Sequence, residues 1–173
     1  MLAELPLAVT APVVPTSWPA PTIEALSRHR RFTARVAHWY QREWGELFPE
    51  RNWADTFDAL LAHDAGEAAG ARTWIALDGD APLGSVTRVE AAVDRLGLHG
   101  PWLAGPWVRP EVRGRGVGAA LVRRAEQESA AAGFDALHAL AFGGAGWLRA
   151  LGWRSVGAVQ WRGRIGERLL RVL

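Results

Sequence analysis

Two consecutive segments in the first third of the chain carry apolar residues at a helical period. In the first segment they recur every three or four positions, as Val36, Trp39, Tyr40, Trp44, Leu47 and Phe48. This spacing predicts an amphipathic helix over Phe32–Phe48. Asn52 is suited to cap a second helix that ends near Gly66. The predicted buried stripe of that helix consists of Trp53, Phe57, Leu60 and Leu61. A short strand over Thr22–Ser27 is predicted before both helices.

The rest of the chain alternates between strand-like and helix-like runs. Arg72–Leu77 and Leu83–Glu90 are typical of two strands, and the Asp78-Gly79 pair between them favours a hairpin turn over 78–82. Further strands are predicted over 102–109, 136–142, 153–159 and 167–172, and further helices over 117–132 and 145–151. The alternation indicates a mixed α/β sheet.

Length and the N-terminal pattern predict one domain with a leading arm. A chain of 173 residues that is 49% hydrophobic can bury the core of a single domain. Residues 1–21 are apolar and rich in proline, with neither a basic start nor a long unbroken apolar run. They are therefore atypical of a signal peptide or a membrane span. We expect an arm over 1–21, a domain over 22–173 and a cytoplasmic location.

The amino-acid composition excludes several kinds of site. The chain has no cysteine and five scattered histidines, which excludes disulfides and a cysteine nucleophile and gives no metal-ligand spacing. Its 20 basic residues, all arginine, nearly balance 18 acidic ones, so the charge is not typical of a nucleic-acid binder. Most of the ten tryptophans are expected in the core. Trp39, Trp44, Trp102 and Trp107 are also candidates for lining a ligand pocket.

A glycine-rich segment joins the strand predicted over 102–109 to the helix that follows it. The segment includes Val108, Arg113, Gly114, Arg115, Gly116, Val117, Gly118 and Ala119. Its glycines allow a tight turn, and the first amides of the helix have no partner within the helix. Two arginines add positive charge. The pattern predicts a phosphate-binding loop.

Three known phosphate-binding loops could be meant, and the spacing of their glycines and charged residues separates them. A Walker loop needs a lysine, which the chain lacks. A dinucleotide fingerprint needs Gly-x-Gly-x-x-Gly, whereas Gly114, Gly116 and Gly118 alternate and Ala119 replaces the last glycine. Asp135 has the right separation for a ribose contact but falls at the start of a strand. The structural interpretation of the same residues is an ordinary strand-to-helix connection that binds no ligand.

The run Arg113-x-x-Gly116-x-Gly118 resembles the pyrophosphate motif of the GCN5-related N-acetyltransferase (GNAT) family. The segment 146–153 is similar to that family's later helix and its closing Gly-aromatic pair. Glu43-Trp44-Gly45, with the stretch 101–104, resembles a bacterial subgroup. The resemblance extends from about Thr22 to the C-terminus. It implies a mostly antiparallel sheet of six or seven strands with about four helices, in which splayed strands form the cofactor slot.

The resemblance also implies a cosubstrate and an activity. Acetyl-CoA would bind without a metal, its pyrophosphate on the loop from Arg113 to Ala119 and its pantetheine arm along the backbone of Trp107 and Val108. The acetyl group would pass to a primary amine of a small molecule or peptide. Trp39, Trp44 and Trp102 would contact the acceptor. Dimers are common in the family, so a homodimer is a further expectation.

The sequence offers two carboxylates and two histidines as candidates for the base that deprotonates the amine. Glu43 and Asp94 are the first candidates, and either could instead bind a cationic acceptor. The structural interpretation of Glu43 is an exposed carboxylate on a helix, and that of Asp94 is a loop acid beside Arg95. His99 and His138 have a suitable ordinary pKa and are alternatives.

Two positions depart from the family pattern. Leu148 stands where many members carry a tyrosine that protonates the departing thiolate, and the single tyrosine, Tyr40, falls in an early helix. Pro106 has no amide to polarise the acetyl carbonyl, although proline suits a bulged strand. These departures suggest a second hypothesis, a CoA-binding module with weak or no catalysis. A third, nucleic-acid binding through the arginine loop, predicts steeply salt-dependent affinity.

Overall fold

The computed structural model describes residues 19–65, 70–90 and 100–173. The strands are β1 (Thr22–Ala25), β2 (Arg72–Asp78), β3 (Ala81–Val89), β4 (Trp102–Val108), β5 (Ala136–Ala141), β6 (Arg154–Trp161) and β7 (Arg164–Val172). The helices are α1 (Thr33–Trp44), α2 (Trp53–Ala65), α3 (Val117–Ala131) and α4 (Ala145–Ala150), with 3₁₀ segments at Leu26–Phe32 and Pro110–Val112. Positions 1–18 of the predicted arm, together with Asp94 and His99, lie outside the described residues. None of the helices in the described ranges is long and apolar enough to cross a membrane.

The seven strands form one sheet in the order β1-β2-β3-β4-β5-β7-β6. Every neighbouring pair is antiparallel except β4 and β5, which are parallel. This confirms the predicted mixed, mostly antiparallel sheet with four helices. In the described chain the β4–β5 pairing comprises Trp102–His138 and Leu103–Ala139, at the start of β4. The two strands therefore separate over the rest of β4.

Local signals account for the start of α2 and the end of α1. The Asp55 amide donates to Asn52 Oδ1 at 3.1 Å and the Asn52 amide donates to Asp55 Oδ2 at 2.8 Å, a reciprocal cap that confirms the predicted start of α2. Helix α1 ends at Trp44, earlier than predicted, because the chain turns at Gly45 before Pro49. The predicted burial of Trp53 is wrong, since this ring is 41% exposed and stacks on Phe57 at the start of α2.

The sheet has a hydrophobic core on each face. Helices α3 and α4 cover one face, where Trp74, Val86, Leu121, Leu137, Leu148 and Leu169 are buried. Helices α1 and α2 cover the other, where Leu26, Val36, Trp39, Leu60, Ile75 and Leu77 are buried. Each such aliphatic side chain contributes about 1.5–3 kcal/mol by burial. Strands β2 and β3, which lie between the two cores, are thus a rigid support for β4.

Strand β4 contains a bulge at Gly105 and Pro106. Ser85 pairs with Trp107 and Thr87 with Ala104, so three steps along β4 match two along β3. Gly105 has φ +57°, a conformation that favours glycine. A bulge leaves a residue outside the hydrogen-bond ladder, which is why Pro106 is tolerated within the strand.

Candidate active site

The loop after β4 has the geometry of an anion site. Gly114 and Gly116 have φ +75° and +82°, and they turn the exposed chain into the start of α3. The Ala120 amide donates to the Gly116 carbonyl at 3.0 Å. The preceding amides, of Val117, Gly118 and Ala119, come before this first helical hydrogen bond and face the end of the helix. The loop thus presents backbone donors and the positive end of a helix dipole.

Arg113 joins this loop to β4. Its Nε donates to the Val108 carbonyl oxygen at 2.9 Å, so the side chain fixes the end of β4 relative to α3. Arg115 is exposed in the same loop. A Cβ at Gly118 would lie 3.5 Å from Val108 Cγ2 and 3.6 Å from Trp147 Cζ3. Trp147, on α4 and 39% exposed, therefore flanks the loop, a position that the sequence motif did not reveal.

An aromatic cluster of Trp39, Tyr40, Trp44 and Trp107 lies between α1 and β4. Trp39 stacks on Trp107 with ring centroids 4.3 Å apart, and Tyr40 meets Trp44 edge-on at 5.3 Å. The Trp107 indole N–H donates to Glu43 Oε2 at 3.3 Å. Four residues predicted separately as site residues, Trp39, Glu43, Trp44 and Trp107, are thus brought together beside the β4 bulge.

Two other predicted candidates lie at the opposite end of β4. Trp102 is 3% exposed and its ring is 5.0 Å from that of His138. Burial, followed by the charge of Arg168, lowers the pKa of the His138 imidazole. Because β4 rises about 3.3 Å per residue, Trp102 is more than 10 Å along the strand from Trp107. The structure thus separates Trp102 from the aromatic cluster and offers no exposed surface of this ring to an acceptor.

Tyr40 lies directly against the bulge, although the sequence places it in an early helix, 65 positions before Gly105. A Cβ at Gly105 would be 2.7 Å from Tyr40 Cζ and 3.0 Å from its hydroxyl oxygen. Ser85 Oγ donates to this hydroxyl at 3.3 Å, and Thr87 Oγ1 lies 3.1 Å from it. Burial raises the pKa of Tyr40, against the smaller opposing effect of these hydrogen bonds. The phenol is therefore protonated at neutral pH.

Ion pairs connect the turn after α1 with the tip of the β6–β7 hairpin. Arg162 donates from both terminal nitrogens to Glu50, at 2.6 Å each, and Arg164 lies 3.3 Å from Glu46. The hydrogen bonds from Arg162 hold the pKa of Glu50 below its usual value. Because these pairs are exposed, they add little stability.

No cluster of three or more potential metal-ligating side chains occurs in the described ranges 19–65, 70–90 and 100–173. Leu148, at the position of the family's tyrosine, is 3% exposed in the core under α4. Among the residues that the structure describes, the groups near the bulge that can take part in chemistry are the Glu43 carboxylate, the Tyr40 phenol and the hydroxyls around it.

Comparison with known proteins identifies the same architecture. Residues 33–144, more than half of the chain, match the profile of the acetyltransferase (GNAT) family. An aminoglycoside 6'-acetyltransferase type Ii superposes with a TM-score of 0.67 at 16% identity, over 87% of this chain and 96% of that one. For a GNAT-family protein from Bordetella pertussis the TM-score is 0.67 at 22% identity, over 90% and 98% of the two chains.

A protein from Salmonella typhimurium, solved with its cofactor acetyl-CoA, has a TM-score of 0.65 at 18% identity, over 89% of this chain and 94% of that one. No curated protein shows significant sequence similarity to the chain. At these identities the solved structures establish the fold.

Proposed function

The chain belongs to the acetyltransferase (GNAT) family, and from that premise we propose that it transfers the acetyl group of acetyl-CoA to a primary amine of a small molecule or peptide. The observation that carries the proposal is the loop from Arg113 to Ala119, where backbone donors open α3 next to a strand that separates from its neighbour. The similar fold solved with acetyl-CoA supports this assignment.

The cofactor would occupy the gap that β4 and β5 leave. The amides at the start of α3, with Arg113 and Arg115, would bind the pyrophosphate. The backbone of Trp107 and Val108 would hold the pantetheine arm in the manner of an added strand. The thioester would then lie at the Gly105–Pro106 bulge. Acetyl-CoA supplies the acetyl group as a thioester, and no metal enters the proposal.

The aromatic cluster and Glu43 are the proposed acceptor site. Indole rings and a carboxylate together attract an ammonium group by cation–π and charge interactions. Glu43 would hold the amine and accept a proton from it before attack on the thioester. Asp94 stays a candidate for the same role from the segment outside the described residues. The Glu-Trp-Gly subgroup, the cytoplasmic location and a homodimer also stay predictions.

Pro106 and Leu148 favour a second candidate function, a CoA-binding module with weak or no catalysis. Pro106 offers no amide to the acetyl oxygen, and loss of one such donor typically lowers a rate by about 100- to 1000-fold. Leu148 is apolar and buried, so α4 supplies no acid. The two functions share the cofactor site and differ in whether acetyl-CoA is consumed.

We expect Glu43→Gln to lower kcat/KM for a cationic amine about tenfold, because the amide keeps the hydrogen bond from Trp107 but loses the charge and the base. Initial rates of thiol release, measured across a panel of primary amines, test this. Glu46→Gln is the matched control on the same surface, since Glu46 pairs with Arg164 and not with the cluster. Equal losses in the two variants would contradict the assignment of Glu43.

Calorimetric titration with acetyl-CoA, free CoA and ATP tests the cofactor half of the proposal. We expect dissociation constants on the order of micromolar for both CoA forms and much weaker binding of ATP, which lacks the pantetheine arm. The double variant Arg113→Ala, Gly116→Trp should abolish the heat of binding. No binding of acetyl-CoA, or equal binding of ATP, would refute the acetyltransferase proposal. Binding without thiol release for any amine would favour the CoA-binding module.

A further inference from the structure

A line of hydrogen-bonded side chains runs from α2 over strands β2 and β3 to Tyr40 of the aromatic cluster, on one face of the sheet. His63 Nδ1 on α2 lies 3.5 Å from Thr73 Oγ1, which is 3.0 Å from Thr87 Oγ1. Thr87 Oγ1 is in turn 3.1 Å from the Tyr40 hydroxyl, which also accepts from Ser85. The line thus begins at a half-buried imidazole and ends at the bulge of β4.

The two threonines of this line occupy buried positions where an aliphatic side chain would also fit. Thr73 and Thr87 are cross-strand partners on β2 and β3, 0% and 3% exposed, on the face covered by α1 and α2. Valine has the same shape and would fill these positions without a polar atom to satisfy. Neighbouring positions on this face, such as Ile75 and Leu77, are aliphatic. The hydroxyls therefore indicate a role beyond packing.

Either hydroxyl of the Tyr40–Thr87 pair can donate, and the arrangement in which Thr87 donates leaves the phenol proton of Tyr40 free for another acceptor. A tyrosine hydroxyl has two lone pairs and one proton. When Ser85 and Thr87 both donate to it, both lone pairs are occupied. Its proton must then point away from β3. Gly105 of the β4 bulge is next to this hydroxyl, since a Cβ there would lie 3.0 Å from its oxygen.

We propose that Thr73, Thr87 and Tyr40 form a proton path that connects His63 with the thiolate leaving at the β4 bulge. This inference rests on the proposed acetyl transfer. It assigns to Tyr40 of α1 the proton donation that Leu148 of α4 cannot perform.

The step balances as follows in atoms and charge. The acceptor nitrogen forms a bond to the acetyl carbon, and the bond from that carbon to the CoA sulfur breaks. Tyr40 gives its proton to the sulfur and takes one from Thr87, which takes one from Thr73, which takes one from His63 Nδ1. Glu43 passes the proton that it takes from the amine to water, and the imidazole accepts a proton at Nε2 from that water. The ring stays neutral, in agreement with the burial that lowers the pKa of His63.

Three isosteric variants test the path. Tyr40→Phe keeps the ring against Gly105 and removes its proton, and Thr87→Val interrupts the line one step earlier. Thr33→Val is the matched control, because the hydroxyl of Thr33, the first residue of α1, is also buried but has no hydrogen-bond partner in the described part of the chain. Thiol release from acetyl-CoA is measured with a panel of primary amines and with water as the acceptor, and thermal denaturation follows the stability of each variant.

We expect Tyr40→Phe to lower kcat by about 10- to 100-fold with an unchanged KM for acetyl-CoA. This loss of kcat is at or below the lower end of the rate factor that general acid catalysis usually contributes, because a thiolate leaves readily without a proton. Thr87→Val should give a smaller loss and Thr33→Val none. The double variant Tyr40→Phe, Thr87→Val should lose no more than Tyr40→Phe alone, because a path in series is already broken.

Two results would overturn the path, namely a Tyr40→Phe variant with the kcat of the wild type, and losses in the two variants that multiply. Calorimetry separates this failure from that of the proposed function. A wild-type protein that does not bind acetyl-CoA refutes both, whereas binding and transfer that do not depend on Tyr40 refute the path alone.

Discussion

Gly118→Glu should weaken acetyl-CoA binding about 1000-fold. A carboxylate at this second helical position would point into the anion site, and like charges 4 Å apart repel by about 4 kcal/mol at an effective dielectric constant near 20. Each 1.4 kcal/mol corresponds to about tenfold in affinity. The fold should tolerate the change, because a Cβ at Gly118 makes only ordinary contacts and a glutamate near a helix N-terminus is favourable. Calorimetric titration with acetyl-CoA measures the effect.

Gly118→Gln is the control, with the same shape and no charge. We expect it to weaken binding far less than Gly118→Glu. Equal losses in the two variants would indicate that the side chain simply obstructs the slot. Wild-type affinity in both variants would show that the start of α3 is not the phosphate site.

Gly84→Ala should lower the free energy of unfolding by about 3 kcal/mol. Gly84 pairs with Val108 in the β3–β4 ladder, and a Cβ there would be in hard contact with the Trp107 carbonyl oxygen and 3.1 Å from Val108 Cα. Overpacking usually costs about 1–3 kcal/mol, and a backbone neighbour cannot rotate away as a side chain could. For a domain of this size the midpoint temperature should fall by about 6–12 °C, which thermal denaturation measures.

Gly118→Ala is the matched control for this substitution. Its Cβ would make contacts of 3.5 Å and longer, and alanine favours the helix, so the midpoint should stay or rise slightly. If Gly84→Ala were as stable as this control, the close approach of β3 to the end of β4 would be refuted.

Local patterns predicted those parts of the molecule that depend on neighbours in the sequence. The Asn52 cap, the hairpin between β2 and β3 and the turn into α3 each need only a few adjacent residues, and each occurs within a few positions of its predicted place. The splayed β4 and β5 came from the family resemblance, because nothing in their periodicity indicates how far two strands pair.

Long-range packing determined what the sequence could not show. Tyr40 meets Gly105 because α1 packs over the bulge, although the two residues are far apart along the chain. Arg162 pairs with Glu50 across 112 positions. Trp102 and Trp107 were equivalent candidates by type and strand, yet one is buried beside His138 and the other stacks on Trp39. Residue type indicated the chemistry here, and only tertiary contacts selected the members of the site.

The gap between β4 and β5 also bears on how long each protein molecule would survive. If the protein binds acetyl-CoA as proposed, the cofactor fills the gap and stabilises the folded state. The stabilisation is about 2.7 kcal/mol when the cofactor concentration is 100 times the dissociation constant. Without it, the sheet keeps two unpaired strand edges in its interior, which favour local opening and unwanted pairing. Supply of the acetyl donor would then govern abundance as well as catalytic rate, because proteases degrade the open form more readily than the filled one.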